Sequence, residues 1–198
     1  MRGKVYTEAM KPQRRLKVGD RIPDFWTRDL DGREVDSREF KGYTLLVFLR
    51  YAGCPFCNLA VLRLNHEHKL LQKNGCEVIV FIQSSEETIE KYVLSRQDKI
   101  PAYSVVADQQ QDFYRLFGVR PNASAMMRYT AKNASHWMEA VFEKSFTQQR
   151  ADGSPMMVPA YFLVDDKGII QLADYEASLY DDASFTPIYD VLTFGPLS

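Results

Sequence analysis

The chain has 198 residues, 45% of them hydrophobic and 26% charged, with a formal net charge of −1. That is enough chain for one well-filled core, and so small a net charge offers no global field to recruit nucleic acid or an anionic lipid surface. The longest apolar run, Leu45 to Leu49, has the length of a strand, so no membrane span is expected.

At the start of the chain, Met1 to Lys11 lacks the apolar core and small-residue cleavage pattern of a secretory leader. A reducing, cytoplasmic setting is therefore expected. The basic run Lys11 to Lys17 reads as part of a solvated arm over residues 1–17, ahead of a single domain over 18–198. Ile22 to Val35 reads as a short antiparallel ribbon turning at Asp31-Gly32. Thr44 to Arg50 is a continuous β-branched and aromatic run, the pattern of a strand buried on both faces. A helix is predicted from the Cys54 region to Lys73, stopped by Asn74-Gly75.

A second buried strand follows at Cys76 to Ile82. Ser84-Ser85-Glu86-Glu87 fits a capping box for a helix carrying Ile89, Tyr92 and Val93. Ala102 to Val106 reads as a third strand, and Asp108 as the cap of a short helix through Phe117 ended by Gly118. From about 119 to 157 the alternation lapses. A helix over Ser135 to Phe146 is predicted there, within an insertion. Tyr161 to Val164 and Ile169 to Ala173 form a hairpin, and Thr186-Pro187 opens a last helix with Thr186 as its cap. This order specifies an α/β fold, a mixed sheet covered by helices on both faces.

Three cysteines are too few, and the wrong parity, for a disulfide scaffold. Cys54-Pro55-Phe56-Cys57 places two of them at a strand-to-helix junction. The first turn of a helix brings positions three apart to one side, close enough to bridge. Unpaired N–H groups and the positive end of the dipole favour thiolate at Cys54. Cys54 then reads as an exposed attacking thiol and Cys57 as the deeper, resolving one. Zinc fits poorly, because the position that would complete a second knuckle after Cys76 is Ile79. Cys76 reads as a small core residue. His66 and His68 read as surface or boundary residues, and His136 lacks a companion that would define a site. No metal, and no nucleotide or phosphate loop implying a cofactor, is expected.

These features in series resemble the peroxiredoxin family, the alkyl hydroperoxide reductase/thiol-specific antioxidant group of the thioredoxin-like superfamily. The resemblance is carried by Val18-Gly19-Asp20-Arg21-Ile22-Pro23-Asp24-Phe25, Leu30-Asp31-Gly32, Phe40-Lys41-Gly42 and the strand into Tyr51-Ala52-Gly53-Cys54-Pro55-Phe56-Cys57. It covers roughly 18–119 and 159–173. It implies a thioredoxin-like fold with an N-terminal ribbon and a helical insertion before the last hairpin. It also implies that Cys54 matches both the peroxidatic cysteine and the attacking cysteine of thioredoxins, with Cys57 the resolving one. Val158-Pro159 looks like the cis-proline loop that faces the cysteine pair. Two features depart from the family. Tyr51 and Val47 stand where a Thr or Ser and a Pro are usual, and Pro159 stands where an Arg is usual. Arg50 and Tyr51 are the candidates to replace those donors, and Gly53, Pro55 and Phe56 complete the predicted site. The implied substrate is a peroxide or a disulfide, with a thioredoxin-like or glutathione thiol as reductant. A non-enzymatic redox sensor or binding module is the alternative, with the Met- and aromatic-rich insertion as partner surface or homodimer seam.

Overall fold

The structure is a computed structural model that describes residues 4–5 and 14–195. Its centre is a five-stranded sheet in the order β6-β5-β4-β7-β8, built from β4 (Tyr43–Leu49), β5 (Cys76–Ile82), β6 (Ser104–Ala107), β7 (Ala160–Val164) and β8 (Ile170–Asp174). β4, β5 and β6 run parallel, and β7 and β8 are antiparallel to their neighbours. A separate antiparallel ribbon comprises β1 (Lys4–Val5), β2 (Phe25–Arg28) and β3 (Glu34–Asp36).

The apolar strands are continuous because both faces are covered. Leu45, Val47 and Leu49 of β4 enter one core with helix α1 (Pro55–Lys73) and with Ile188 and Val191 of the last helix. Leu46 and Phe48 point the other way, into a cluster with Phe81, Phe113, Phe117, Phe162 and the ribbon's Phe25. Phe48 stacks on Phe81 with centroids 4.8 Å apart. Tyr114, fully buried, donates to the carbonyls of Leu49 and Phe81. It thereby ties together the ends of β4 and β5, the point from which the cysteine loop departs.

Most predicted elements stand where expected, with local corrections. Helix α2 (Glu86–Tyr92) is capped by Ser85, whose hydroxyl accepts from Thr88 N–H at 3.2 Å; Thr88, not a glutamate, fills the third position. Ser84 lies outside the cap and binds elsewhere. Asp108 does cap α3 (Asp112–Leu116), its carboxylate accepting from the N–H groups of Asp112, Phe113 and Tyr114. The insertion holds α4 (Ala123–Lys132), which periodicity did not reveal, then α5 (Ala134–Met138) and a π-helical turn over Glu139–Glu143. The helix predicted over Ser135 to Phe146 is thus shorter and changes pitch. Thr186 is the first residue of α6 (Thr186–Phe194), not its cap, because a 3-10 turn over Asp182–Phe185, capped by Asp181, leads into it. Cys76 is buried, and burial pushes its thiol up to about 12, as suits a core residue. His68 is buried against Tyr103 rather than lying on the surface. Much of the predicted N-terminal arm falls outside the described residues. From Arg14 onward Leu16 is buried, and its N–H donates to the Tyr175 hydroxyl at 2.6 Å. Among the described residues no helix is long and apolar enough to cross a membrane, and no cluster of His, Cys, Asp and Glu could hold a metal ion.

Candidate active site

The site begins where β4 ends. After Leu49 the chain leaves the sheet through Arg50, Tyr51, Ala52 and Gly53, and Cys54 takes the cap position of α1 in extended conformation with Pro55 as first helical residue. A proline is tolerated there because that N–H has no helical partner. Asn58, one turn on, donates its amide to the carbonyls of Ala52 (3.0 Å) and Cys54 (3.1 Å), locking the loop onto the helix.

Cys54 and Cys57 are both free thiols, and both are buried. Cys54 is 0% exposed, which corrects the expectation of an exposed nucleophile. The reason is tertiary: the insertion folds over the helix start. Arg50, itself 8% exposed, donates Nη1–H to Cys54 Sγ at 3.2 Å, while its main-chain N–H donates to Cys57 Sγ, also at 3.2 Å. One residue therefore touches both sulfurs.

These contacts separate the two thiols. Burial alone would raise the Cys54 pKa. The hydrogen bond from Cys57, the Arg50 charge and the N–H groups of Cys57 and Phe56 outweigh it and bring Cys54 down to about 6. Burial pushes Cys57 well above the ordinary thiol value, and its bond to Cys54 adds to the rise. Arg50 shows the reciprocal effect: burial disfavours its charge, yet the two sulfurs and Tyr51 leave its pKa raised. Cys54 is thereby made the more acidic sulfur and Cys57 the less acidic one, the split that an attacking and resolving pair requires.

The remaining predicted residues divide. Tyr51 lies under the Arg50 guanidinium, 5.2 Å from ring centroid to Cζ, and its hydroxyl accepts from Gln148 of the insertion at 2.9 Å. Gly53 admits that packing: a Cβ there would stand 2.7 Å from Gln149 Cβ. Phe56 stacks on Tyr180 (5.3 Å) and meets Tyr129 edge-on (5.7 Å), and the two tyrosine hydroxyls bond to each other. Val158 and Pro159 are buried at the entrance to β7. No cis peptide bond occurs among the described residues, so the bond before Pro159, whose isomer the sequence leaves open, is trans. The Pro159 carbonyl accepts from Ala177 N–H at 3.0 Å. Pro155 meets the centre through its carbonyl, which accepts from Arg50 Nη2 at 2.5 Å.

Arg50, Cys54, Pro55 and Phe56 form one side of a cavity of about 580 Å³. The facing wall comes from the insertion: Met126, Met127 and Thr130 of α4, Trp137 of α5, and Gln148 and Met156. Sequence reasoning noted Met126, Met127 and Trp137 as apolar residues of the insertion, and only Trp137 by helical spacing. It had no signal for Gln148, Pro155, Ser84 or Asp152, which meet the site only by folding. A larger cavity of about 750 Å³, lined by Arg33, Lys41, Glu77 and Tyr103 among others, lies at the opposite end of β4 and contains none of the predicted residues.

A family model described as "AhpC/TSA family" matches residues 18–173. Thiol-disulfide oxidoreductase ResA of Geobacillus thermodenitrificans is 28% identical over 120 residues, 59% of this chain and 66% of that protein. The chain thus spans just under two thirds of that relative's length. Peroxiredoxin Bcp of Escherichia coli is 27% identical over 112 residues, 56% of this chain and 70% of Bcp. In fold, the chain is similar to peroxidoxin BcpB of Mycobacterium tuberculosis (TM-score 0.61, 16% identity, 89% of this chain and 96% of that one). It is equally similar to a thiol:disulfide interchange protein DsbE of Chlorobium tepidum (TM-score 0.61, 17% identity, 92% and 99%).

Proposed function

Since the chain belongs to the AhpC/TSA family, we propose that it is a thiol-dependent oxidoreductase that reduces a small hydroperoxide at Cys54 and resolves the product with Cys57. The observation that carries this reading is Arg50 Nη1 lying 3.2 Å from the sulfur of a fully buried Cys54 that lines a cavity. A thiolate held by a cation is a competent nucleophile, and burial restricts its partners to molecules that enter the cavity.

The Cys54 thiolate attacks the terminal oxygen of the hydroperoxide. The O–O bond breaks, Cys54 becomes a sulfenic acid, and the alkoxide leaves and takes a proton as the alcohol, or as water from hydrogen peroxide. Arg50, paired with the thiolate and lining the cavity, is placed to steady the negative charge as it moves from sulfur to the leaving oxygen. Cys57 then attacks the Cys54 sulfur, water leaves, and the Cys54–Cys57 disulfide forms. An external thioredoxin-like dithiol, or two glutathione thiols, returns two electrons and two protons and leaves as the disulfide. Tyr51 supports Arg50 through its ring, while Gly53, Pro55 and Phe56 shape the approach. Val158 and Pro159 act through the strand entrance they occupy.

A second reading is dithiol exchange with a protein disulfide. It is favoured by the two-residue spacing between the cysteines and by the Arg50 N–H held against Cys57. It requires the segment over Cys54 to move aside. The setting proposed for either reading is a reducing compartment such as the cytoplasm, where thiol donors are present, with the Met- and aromatic-rich mouth as the surface a reductant or a second copy would meet.

The test is hydrogen peroxide and cumene hydroperoxide consumption by the reduced protein with a dithiol donor, run beside insulin disulfide reduction, each repeated with Cys54→Ser. The proposal expects peroxide turnover that Cys54→Ser abolishes. Insulin reduction without peroxide turnover would transfer the assignment to the second reading, and inactivity in both would overturn both.

A further inference from the structure

The segment Asp152–Pro155 reaches the cysteine loop at two places. At one end, Asp152 Oδ1 accepts from the Ser84 hydroxyl at 2.5 Å, and Oδ2 accepts from Ser85 N–H at 3.2 Å. Ser84 is 0% exposed, and its oxygen accepts in turn from Ala52 N–H at 2.8 Å, two residues before Cys54. In the middle, the Gln83 side-chain amide and the main chain of Ser154 exchange two hydrogen bonds, each 3.0 Å. Gly153 permits this approach, since a Cβ there would stand 2.4 Å from the Gln83 carbonyl oxygen. At the other end the Pro155 carbonyl holds Arg50 Nη2.

A guanidinium is a planar fork, so fixing one arm aims the other. Among the described residues Arg50 Nε is buried without a hydrogen-bond partner. The orientation of the group therefore rests on the Pro155 carbonyl, the Tyr51 ring and the Cys54 sulfur itself. We propose that Asp152 is a positioning residue for this centre: it anchors the turn that presents Cys54 and the carbonyl that directs Arg50 at its sulfur. This rests on the reading of Cys54 as the reacting thiolate. The titratable groups facing Cys54 are Arg50, Tyr51 and Cys57 from the loop and α1, Tyr129 from α4 and Tyr180 from the segment before α6.

Positioning and direct charge effects have opposite signs. Deleting a nearby carboxylate would by charge alone favour the thiolate and lower its pKa. Loss of positioning draws Arg50 away and raises it. The experiment measures the pH dependence of iodoacetamide alkylation at Cys54, read by peptide mass, in the reduced wild type, Asp152→Ala and Asp152→Asn. The wild-type midpoint is expected near pH 6. Asp152→Ala is expected at least one pH unit higher, reducing the thiolate at pH 7 from about nine tenths to about one half. Asp152→Asn retains an acceptor for Ser84 without the charge and is expected to stay near the wild type. An alanine variant at or below the wild-type midpoint, or an asparagine variant displaced as far as alanine, would overturn the proposal. Should Asp152→Ala fail to fold by circular dichroism, Ser84→Ala, which removes the hydroxyl between Asp152 and Ala52, carries the same test and the same expected displacement. A wild-type midpoint at the ordinary thiol value would instead overturn the functional reading.

Discussion

Replacing Arg50 by methionine keeps an unbranched stem in a position that is 8% exposed and removes the charge beside Cys54. Two unit charges 3.2 Å apart interact by about 5 kcal/mol at an effective dielectric of ~20, equivalent to about 4 pH units. This attraction acts together with the hydrogen bond from Cys57 and the N–H groups of Cys57 and Phe56 against burial to bring Cys54 from 9.0 to about 6. Water entry and relaxation around the shorter side chain should return about half of the lost interaction. The Cys54 midpoint in Arg50→Met is therefore expected near pH 8, about two units up. The thiolate at pH 7 then falls from about nine tenths to about one tenth, and peroxide consumption falls about tenfold from ionisation alone. Arg50→Lys, which keeps the charge but loses the fork, should lie between the two. The assay is iodoacetamide alkylation of Cys54 against pH, with far-UV circular dichroism as a check on folding. A midpoint for Arg50→Met within half a unit of the wild type would show that Arg50 does not set the thiolate, and the electrostatic account of the site would be wrong.

Cys57→Ser should retain the first turnover with peroxide and lose the later ones, leaving a Cys54 sulfenic acid that a dimedone-type probe captures; absence of the adduct would count against Cys57 as the resolving thiol. The reduced protein should gain stability with rising pH between about 6 and 9. Here Cys54 is ionised when folded and protonated when unfolded, so the folded state holds fewer protons; the gain is lost as pH falls through 6, and it amounts to about 4 kcal/mol at most. Urea titrations of the wild type and Cys54→Ser at pH 6 and 8.5 test this, the serine variant being expected to lack the rise. Phe56→Ala removes the ring between Tyr180 and Tyr129 and should destabilise by about 3–5 kcal/mol, read as a lower urea midpoint; a loss under 1 kcal/mol would mean that the insertion does not depend on this stack.

The strand-to-helix junction, the cysteine pair and the alternation of elements were legible because they are local. Continuous apolar runs such as Leu45 to Leu49 mark strands covered on both faces, and a proline after Cys54 marks a helix start. The division of labour between the two thiols also follows from helix geometry, since the N-cap sulfur meets free N–H groups. The burial of Cys54 depended on contacts across about a hundred residues. Met126, Trp137 and Met156 close the cavity, and Tyr51 is held by Gln148. Likewise Pro155 came to lie against Arg50, because a carbonyl's partner is chosen by where the chain folds and not by motif spacing. Helix α4 escaped the periodic reading because its exposed face carries Met127 beside the cavity rather than a polar residue. By itself the sequence determined the fold class and the placement of two cysteines at a helix start, which depend on neighbours within one turn of helix or one strand. Only the tertiary structure decided the thiolate's surroundings, because a buried charge takes its energy from whatever the fold brings within a few ångströms of it.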